Sequence, residues 1–336
     1  MDSLTQIVLG AAVGEVVLGR KVGNKAMLYG AIAGTIPDLD VLARNFTDTI
    51  NATEIHRGFS HSILFAIIAA PLLGWMVNKI EHKKNLGWRP WTWLFFWGIF
   101  THPLLDAFTT WGTQIFYPAD YRVAFNSIFV IDPLYTLPFL VCTIWAMFLR
   151  RGSLSRKRTN LTGIVLSSSY LLLSVVLKLL ALHQFESALS KLRIEYNEIS
   201  TRPAALNTIL WNANVDTEDA YLIGDYSFFD SEPLTFKSYP KNRANEPHFN
   251  NPQSEENLQR LIDISQGWYL LEEKDGDWYF YDLRFGLMPT ASGKMQFVFA
   301  YKLIEENGIL TAEETPKAPR DAGLLMKKLW ERVKGN

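Results

Sequence analysis

Along the first half of the chain the apolar positions fall in long unbroken runs. Along the second half they alternate with polar ones. The longest run covers residues 161–182 and holds one charge, Lys178, near its end. About 20 apolar residues span a bilayer, so this run reads as a membrane helix. Runs at 62–78, 91–108 and 133–149 are shorter and nearly free of charge. Two more, at 4–19 and 25–36, are rich in glycine and alanine, which lets helices pack closely in a bundle. The pattern predicts an α-helical membrane bundle of about six spans, the first ones short, over residues 1–182. Trp88, Trp91 and Trp93 beside a basic loop fit an interfacial belt. No basic stretch precedes the first run, so a cleaved signal peptide is not expected.

Beyond residue 182 the period changes. Leu182, Phe185, Leu189, Leu192, Tyr196 and Ile199 keep a three-four spacing. That predicts an amphipathic linking helix over 183–200, ended by Arg202 and Pro203. Strand-like runs follow at 206–213, 220–229, 268–272, 278–283 and 295–303. Lys274-Asp275-Gly276-Asp277 reads as a hairpin turn. Short helices are expected at 255–264 and 322–333. Residues 183–336 therefore read as a small extramembrane α+β domain with an antiparallel sheet.

Composition narrows the function classes. The chain has 336 residues, 48% hydrophobic and 20% charged, which excludes a disordered protein. A net charge of −1 gives no reason to expect nucleic acid. Cys142 is the single cysteine, so disulfide frameworks and cysteine-based zinc sites are excluded. The near-zero net charge conceals a division. Residues 1–182 carry 16 basic against 10 acidic residues, and residues 183–336 carry 17 against 24. Twelve cations lie in the loops around residues 20–25, 79–89 and 150–158, against three, Arg44, Arg57 and Arg122, in loops 37–61 and 109–132. This asymmetry puts the basic loops in the cytoplasm. With six spans, the two cation-poor loops and the domain after residue 182 face outside, periplasmic to an inner membrane.

Ionisable groups at the ends of apolar runs carry the chemistry, because such groups are costly in a bilayer and mark function. Asp38 and Asp40 end the second run. His56-Arg57-Gly58-Phe59-Ser60-His61-Ser62 opens the third. His102 and Asp106 lie four apart in the fourth, on one helical face. Asp132 opens the fifth. All four clusters fall at one membrane face. Imidazole and carboxylate donors suit zinc, with manganese as the other candidate. Asp38, Asp40, His56, His61, His102 and Asp106 are the candidate ligands, enough for one or two ions. Asp40 or Asp132 could serve as general base, and Arg57 and Arg122 could bind phosphate. For Arg57 the competing reading is a salt bridge to Asp38 or Asp40. His82 reads as solvated, and His183 and His248 as structural or surface residues. Without an ion Asp106 would face other carboxylates, so Asp106→Asn is expected to stabilise the metal-free protein.

Pro37-Asp38-x-Asp40, His56-Arg57-Gly58-x-Ser60-His61-Ser62 and His102-x-x-x-Asp106 resemble the membrane-bound metal-dependent hydrolase family of YdjM-like inner-membrane proteins. The resemblance covers roughly residues 1–150. It implies a metal-dependent hydrolase, and a distant likeness to zinc phospholipases C and related nucleases. Many members carry a histidine near the N-terminus where this chain has Gln6, so one ligand is missing or Glu15 replaces it. The expected function is hydrolysis of a phosphoester or lipid-linked substrate at the outer membrane face, the substrate being a small molecule or delivered by the bilayer. The alternatives are a transporter or ion pathway, and a non-catalytic scaffold whose external domain binds a partner.

Overall fold

The computed structural model describes the whole chain apart from residues 250, 291–293, 307 and 317–320. It forms two compact units. The first comprises Met1–Leu42, Ile55–Val176 and Ala205–Asn207. The second comprises Ala43–Glu54, Leu177–Ala204 and Thr208–Asn336.

The helices, in chain order, are α1 (Ser3–Val22), α2 (Asn24–Thr35), α3 (Thr49–Ile55), α4 (Ile63–Ile80), α5 (Trp88–Asp106), α6 (Pro133–Phe148) and α7 (Leu154–Leu192). A 3-10 segment, Pro37–Asn45, continues α2 after a bend of 44°. In the first unit Ala26, Ala33, Ala66, Ala70, Trp91, Leu94, Phe95 and Ile99 form one buried cluster. Large apolar side chains cover the outside: Ile67, Ile68 and Leu72 on α4, Leu137, Val141 and Trp145 on α6, and Leu172 on α7 are all more than half exposed. In a soluble protein such a surface would aggregate; against lipid it is the solvated one.

Among the described residues three helices, α1, α4 and α7, are long and apolar enough to cross a membrane, or four if α2 and the 3-10 segment act as one bent span. The expectation of about six spans is thus corrected. With 12 and 16 residues, α2 and α6 reach only about 18 and 24 Å at 1.5 Å per residue, short of a hydrocarbon core of about 30 Å. Helix α5 has the length, but Arg89, Thr92, Thr101, His102 and its tryptophans lower its apolar content.

Helices α1 and α2 pack at backbone contact. A Cβ on Gly10 would meet the Gly30 carbonyl oxygen at 2.2 Å, and one on Gly14 would meet that of Ala26 at 2.1 Å. This is the four-residue small-residue spacing that lets membrane helices approach. At the other end of α1, Glu15 is paired with Arg156 through two bonds, 2.7 Å from Nε and 2.5 Å from Nη2, both side chains buried. Glu15 is therefore spent on an ion pair and does not replace Gln6.

The second unit holds two four-stranded antiparallel sheets, where the sequence pattern predicts one. The first sheet runs in order β1 (Glu198–Pro203), β2 (Leu210–Asp216), β3 (Ala220–Ser227), β4 (Phe236–Pro240). Helix α8 (Pro252–Ile264) precedes the second sheet, β5 (Tyr269–Lys274), β6 (Asp277–Pro289), β7 (Met295–Glu306) and β8 (Ile309–Glu314), and α9 (Ala322–Val333) ends the chain. The β5–β6 turn holds Asp275 at φ 55° and Gly276 at φ 83°, the two positive φ values of a type I′ hairpin.

The linking helix stops earlier than 200. Helix α7 ends at Leu192, and Arg193 takes φ 56°. The first part of the apolar spacing does seat the helix, with Ala181, Phe185 and Leu189 buried against Trp211 and Ala213. The last part belongs to a strand: Ile199 pairs with Val215 and Thr201 with Ala213 in β1–β2. β-branched residues gain a ladder there that a solvated helix end would not offer.

Candidate metal centre

The bend after α2 sets the first ligand. A 3-10 helix has three residues per turn, so positions two apart point in different directions. Asp38 and Asp40 accordingly face different partners. His61 ends the short 3-10 turn Phe59–His61, and Ser62 then caps α4, accepting from the Phe65 amide at 3.0 Å. His102 and Asp106, one turn apart on the buried side of α5, complete the group.

Asp38, His61, His102 and Asp106 bring one donor atom each to within 4.8 Å of one another. His61 Nε2 lies 3.1 Å from His102 Nε2. Asp38 Oδ1 lies 3.4 Å from His61 Nε2 and 3.3 Å from His102 Nε2. Asp106 Oδ2 lies 3.5 Å from each imidazole nitrogen. A tetrahedral zinc ion with bonds of about 2.0–2.1 Å holds its ligand atoms about 3.3–3.4 Å apart. The five separations that involve an imidazole nitrogen bracket that value, and the sixth, between the Asp38 and Asp106 carboxylates, falls within the 4.8 Å spread of the group.

The supporting hydrogen bonds turn the donor atoms inward. His102 Nδ1 donates to the Gly34 carbonyl at 2.6 Å, leaving its Nε2 as the lone-pair nitrogen. His61 Nδ1 faces Ser60 Oγ at 2.9 Å and Asp40 Oδ2 at 3.2 Å, which fixes the same tautomer. Two imidazole lone pairs and two carboxylate oxygens then converge on one point. They repel unless a cation, or a proton, sits among them. Burial alone would lower the pKa of His61, but Asp106, Asp38 and Asp40 outweigh it and push it up to about 9. Asp106 Oδ2 has no hydrogen bond although it is fully buried; Arg57 Nε is 3.2 Å away but out of line for one. An acceptor left open at this point, beside two imidazole nitrogens, fits a metal ion.

The other sequence candidates have other partners. Asp40 accepts from the Arg57 amide at 2.9 Å and Ser60 Oγ at 2.9 Å, and faces His56 Nδ1 at 3.0 Å. Asp40 and His56 are thus bound to each other beside the four-donor group. Arg57 is buried, paired with Asp106 and not with Asp38 or Asp40, and donates through Nη1 to Thr109 at 2.7 Å. Arg122 is half-buried and donates to the His56 carbonyl at 3.0 Å. Asp132 caps α6, accepting from the Leu134 and Tyr135 amides at 3.0 and 3.3 Å and from Tyr170 at 2.9 Å.

Two supporting groups, the Met1 amino group and the Gly34 carbonyl, have no signal in the sequence, and Gln6, which stands out there only for the histidine it replaces, is a third. Gln6 Nε2 donates to Asp106 Oδ1 at 2.8 Å, and the Met1 amino group contacts the same oxygen. Gln6 thus holds Asp106 through Nε2, while its Oε1 is buried with no hydrogen bond. The Gly34 carbonyl reaches His102 because α1 and α2 have no side chains between them; a Cβ at Gly34 would lie 2.5 Å from the Gln6 carbonyl oxygen.

The family model described as the YdjM inner membrane protein matches residues 1–182. The inner membrane protein YbcI of Escherichia coli (strain K12) is 36% identical over 99 residues, which cover 29% of this chain and 56% of YbcI. The chain thus spans little more than half the length of that relative. No solved structure matches. On the extent of the family match, which takes in the whole four-donor group, the chain belongs to the YdjM inner membrane protein family.

Proposed function

We propose that the protein is a membrane-bound metal-dependent hydrolase acting on a phosphoester, free or lipid-linked, at the outer face of the inner membrane. The observation that carries this reading is the convergence of one donor atom each from His61, His102, Asp38 and Asp106 within 4.8 Å, with the imidazole nitrogens 3.1–3.5 Å from the other donors. Zinc suits two nitrogens and two oxygens at that spacing, and one ion uses all four. Asp38, His61, His102 and Asp106 would hold a divalent ion there, which would supply Lewis-acid chemistry for ester hydrolysis. Asp38 is the one donor whose side chain is partly exposed, at 25%, so the site opens on its side. Arg122, half-buried and tied to His56, is the cation suited to a phosphate. Arg57 holds Asp106 in place. Asp40 orients His61 rather than serving as general base.

Exposed aromatic residues support a lipid-linked substrate. Phe116, Tyr121 and Phe125 are all about half exposed or more, in the loop 109–132 that carries Arg122. Aromatic rings favour the headgroup level of a bilayer. The measurement is hydrolysis of phosphoesters in detergent by the purified protein. Activity that is abolished by chelator, restored by zinc and absent in His102→Ala is the expected result. Detergent removes any gradient, so hydrolysis there also separates an enzyme from a transporter.

One observation favours a second reading. Four protein donors fill a tetrahedron, as in structural zinc sites, whereas catalytic sites keep one position open. A zinc-loaded protein that hydrolyses none of the esters would favour the structural reading.

The orientation we propose rests on loop charge: the loops around residues 20–25, 79–89 and 150–158 hold twelve cations, and loop 37–61 holds Arg44 and Arg57. Ile50 packs with Leu258 and Leu261, and Arg260 bonds Asn51, which supports residues 43–54 and the second sheet lying on one side of the membrane. With loop 37–61 outside, a reporter fused after Asn336 should be active in the periplasm and silent as a cytoplasmic reporter. Cytoplasmic activity would reverse the orientation.

A further inference from the structure

We infer that the second unit positions the metal centre through residues 43–54, with Ile50 and Arg260 as positioning residues. This rests on the metal-centre reading above. In chain order this segment lies between the two halves of the site. Asp38 and Asp40 end three residues before it. His56, Arg57 and His61 begin two residues after it. The two flanks are closed on each other, because Asp40 Oδ2 accepts from the Arg57 amide at 2.9 Å and Asp40 Oδ1 faces His56 Nδ1 at 3.0 Å. Residues 40–57 therefore form a loop pinned at its mouth beside the four-donor group. Arg57 holds φ 58° at that mouth, a conformation a non-glycine residue keeps only when its surroundings impose it.

The body of this loop belongs to the second unit. Ile50 is 2% exposed, buried in one cluster with Leu258, Leu261, Phe280 and Leu303. Arg260 on α8 donates from Nη2 to Asn51 Oδ1 at 2.6 Å and from Nε to Glu54 Oε2 at 3.1 Å. Thr53 bonds Tyr301, and Arg44 lies 3.8 Å from Glu314. The segment is thus held at its start, middle and end. Its own fold is short-range: Asp48 caps α3 by accepting from the Asn51 amide at 2.9 Å. Two flanks that carry an orienting carboxylate, two ligands and the partner of a third are set by where this segment sits. Groups hydrogen-bonded directly to a metal ligand change affinity about 10- to 100-fold when removed, and residues that act on the site through them fall at the low end of that range.

The experiment uses the full-length protein in detergent and titrates Zn2+ against a chromophoric chelator. Arg260→Glu sets like charge against Glu54, and Ile50→Ser removes the buried anchor. Both leave every ligand in place. Zinc affinity is expected to fall about tenfold in each. Glu54→Arg combined with Arg260→Glu restores an ion pair and should recover most of the loss. Arg332→Glu is the control. It breaks the pair with Asp225 and Asp230 in the same unit, away from residues 43–54, and should leave affinity at the wild-type value. Amide exchange over residues 55–62 should rise in Arg260→Glu and not in Arg332→Glu. Wild-type affinity in both Arg260→Glu and Ile50→Ser, with binding lost in His61→Ala, would overturn the inference and leave the metal centre standing. An equal loss in Arg332→Glu would also overturn it, as general destabilisation. A wild-type protein that binds no zinc would remove the metal centre itself, and the inference with it.

Discussion

Replacing His61 or His102 by alanine should lower zinc affinity by about 100-fold or more. Four ligands share an apparent binding free energy of about 10–16 kcal/mol in small zinc sites, so one accounts for about 2.5–4 kcal/mol. At about 1.4 kcal/mol per decade, that is about two to three decades. Both imidazoles are fully buried and each already has its Nδ1 engaged, so no neighbouring nitrogen can substitute. His56→Ala should cost less, about tenfold, because His56 is not a donor and supports the site through Asp40 and by packing edge-on against His61. His82 and His248 are exposed, and their alanine variants should bind zinc as the wild type does. Competition titration measures all five proteins. Equal affinity throughout would exclude this group as the binding site.

Asp106→Asn should abolish zinc binding and also destabilise the metal-free protein by about 3–5 kcal/mol, the cost of leaving a buried charge without its partner. The sign reverses the expectation drawn from the sequence. Like-charge reasoning holds if Asp106 faces only carboxylates. In the structure it faces Arg57 Nε at 3.2 Å and the Met1 amino group, and Arg57 is 5% exposed. Removing the carboxylate charge strands that guanidinium. Arg57→Met together with Asp106→Asn removes both charges and should recover most of the stability while zinc binding stays absent. Thermal unfolding with and without chelator reads each form. Zinc should raise the wild-type melting temperature, because it binds the folded state alone. His61 adds a pH term to the metal-free protein. Its pKa is raised from 6.5 to about 9, so the stability it supplies is complete below the lower value and is lost as pH rises through the higher. A metal-free Asp106→Asn protein more stable than the metal-free wild type would contradict the pairing with Arg57.

The residues of the site were legible because the bilayer makes them conspicuous. A histidine and an aspartate four apart in an apolar run have few uses other than a partner or an ion. Their grouping was legible only in part. The sequence offers Asp38 and Asp40 as equivalents, and only the 3-10 geometry of Pro37–Asn45 separates the one that faces the donors from the one that orients His61. Arg57 reads as a cation for substrate until the fold buries it against Asp106. The support from Gly34 and Gln6 depends on how closely α1 and α2 approach, which is a tertiary property. In the second unit the hairpin β5–β6 was clear from its turn. Strands β1, β4 and β8 were not, being sheet edges with polar residues or proline. Tyr196 and Ile199 fit a helical spacing and are taken into or beside a strand, because a ladder partner is invisible to periodicity. The span count failed for a similar reason. A run of 12 apolar residues and one of 20 look alike locally, and only the length of the helix decides whether a bilayer can be crossed.

The most direct test of the metal centre is zinc-edge X-ray absorption on the purified, zinc-supplemented protein. One equivalent of zinc in a shell of nitrogen and oxygen at about 2.0–2.1 Å, with outer-shell scattering from two imidazoles, is the predicted result. A protein that retains no zinc, or a zinc shell without imidazole scattering, would contradict it.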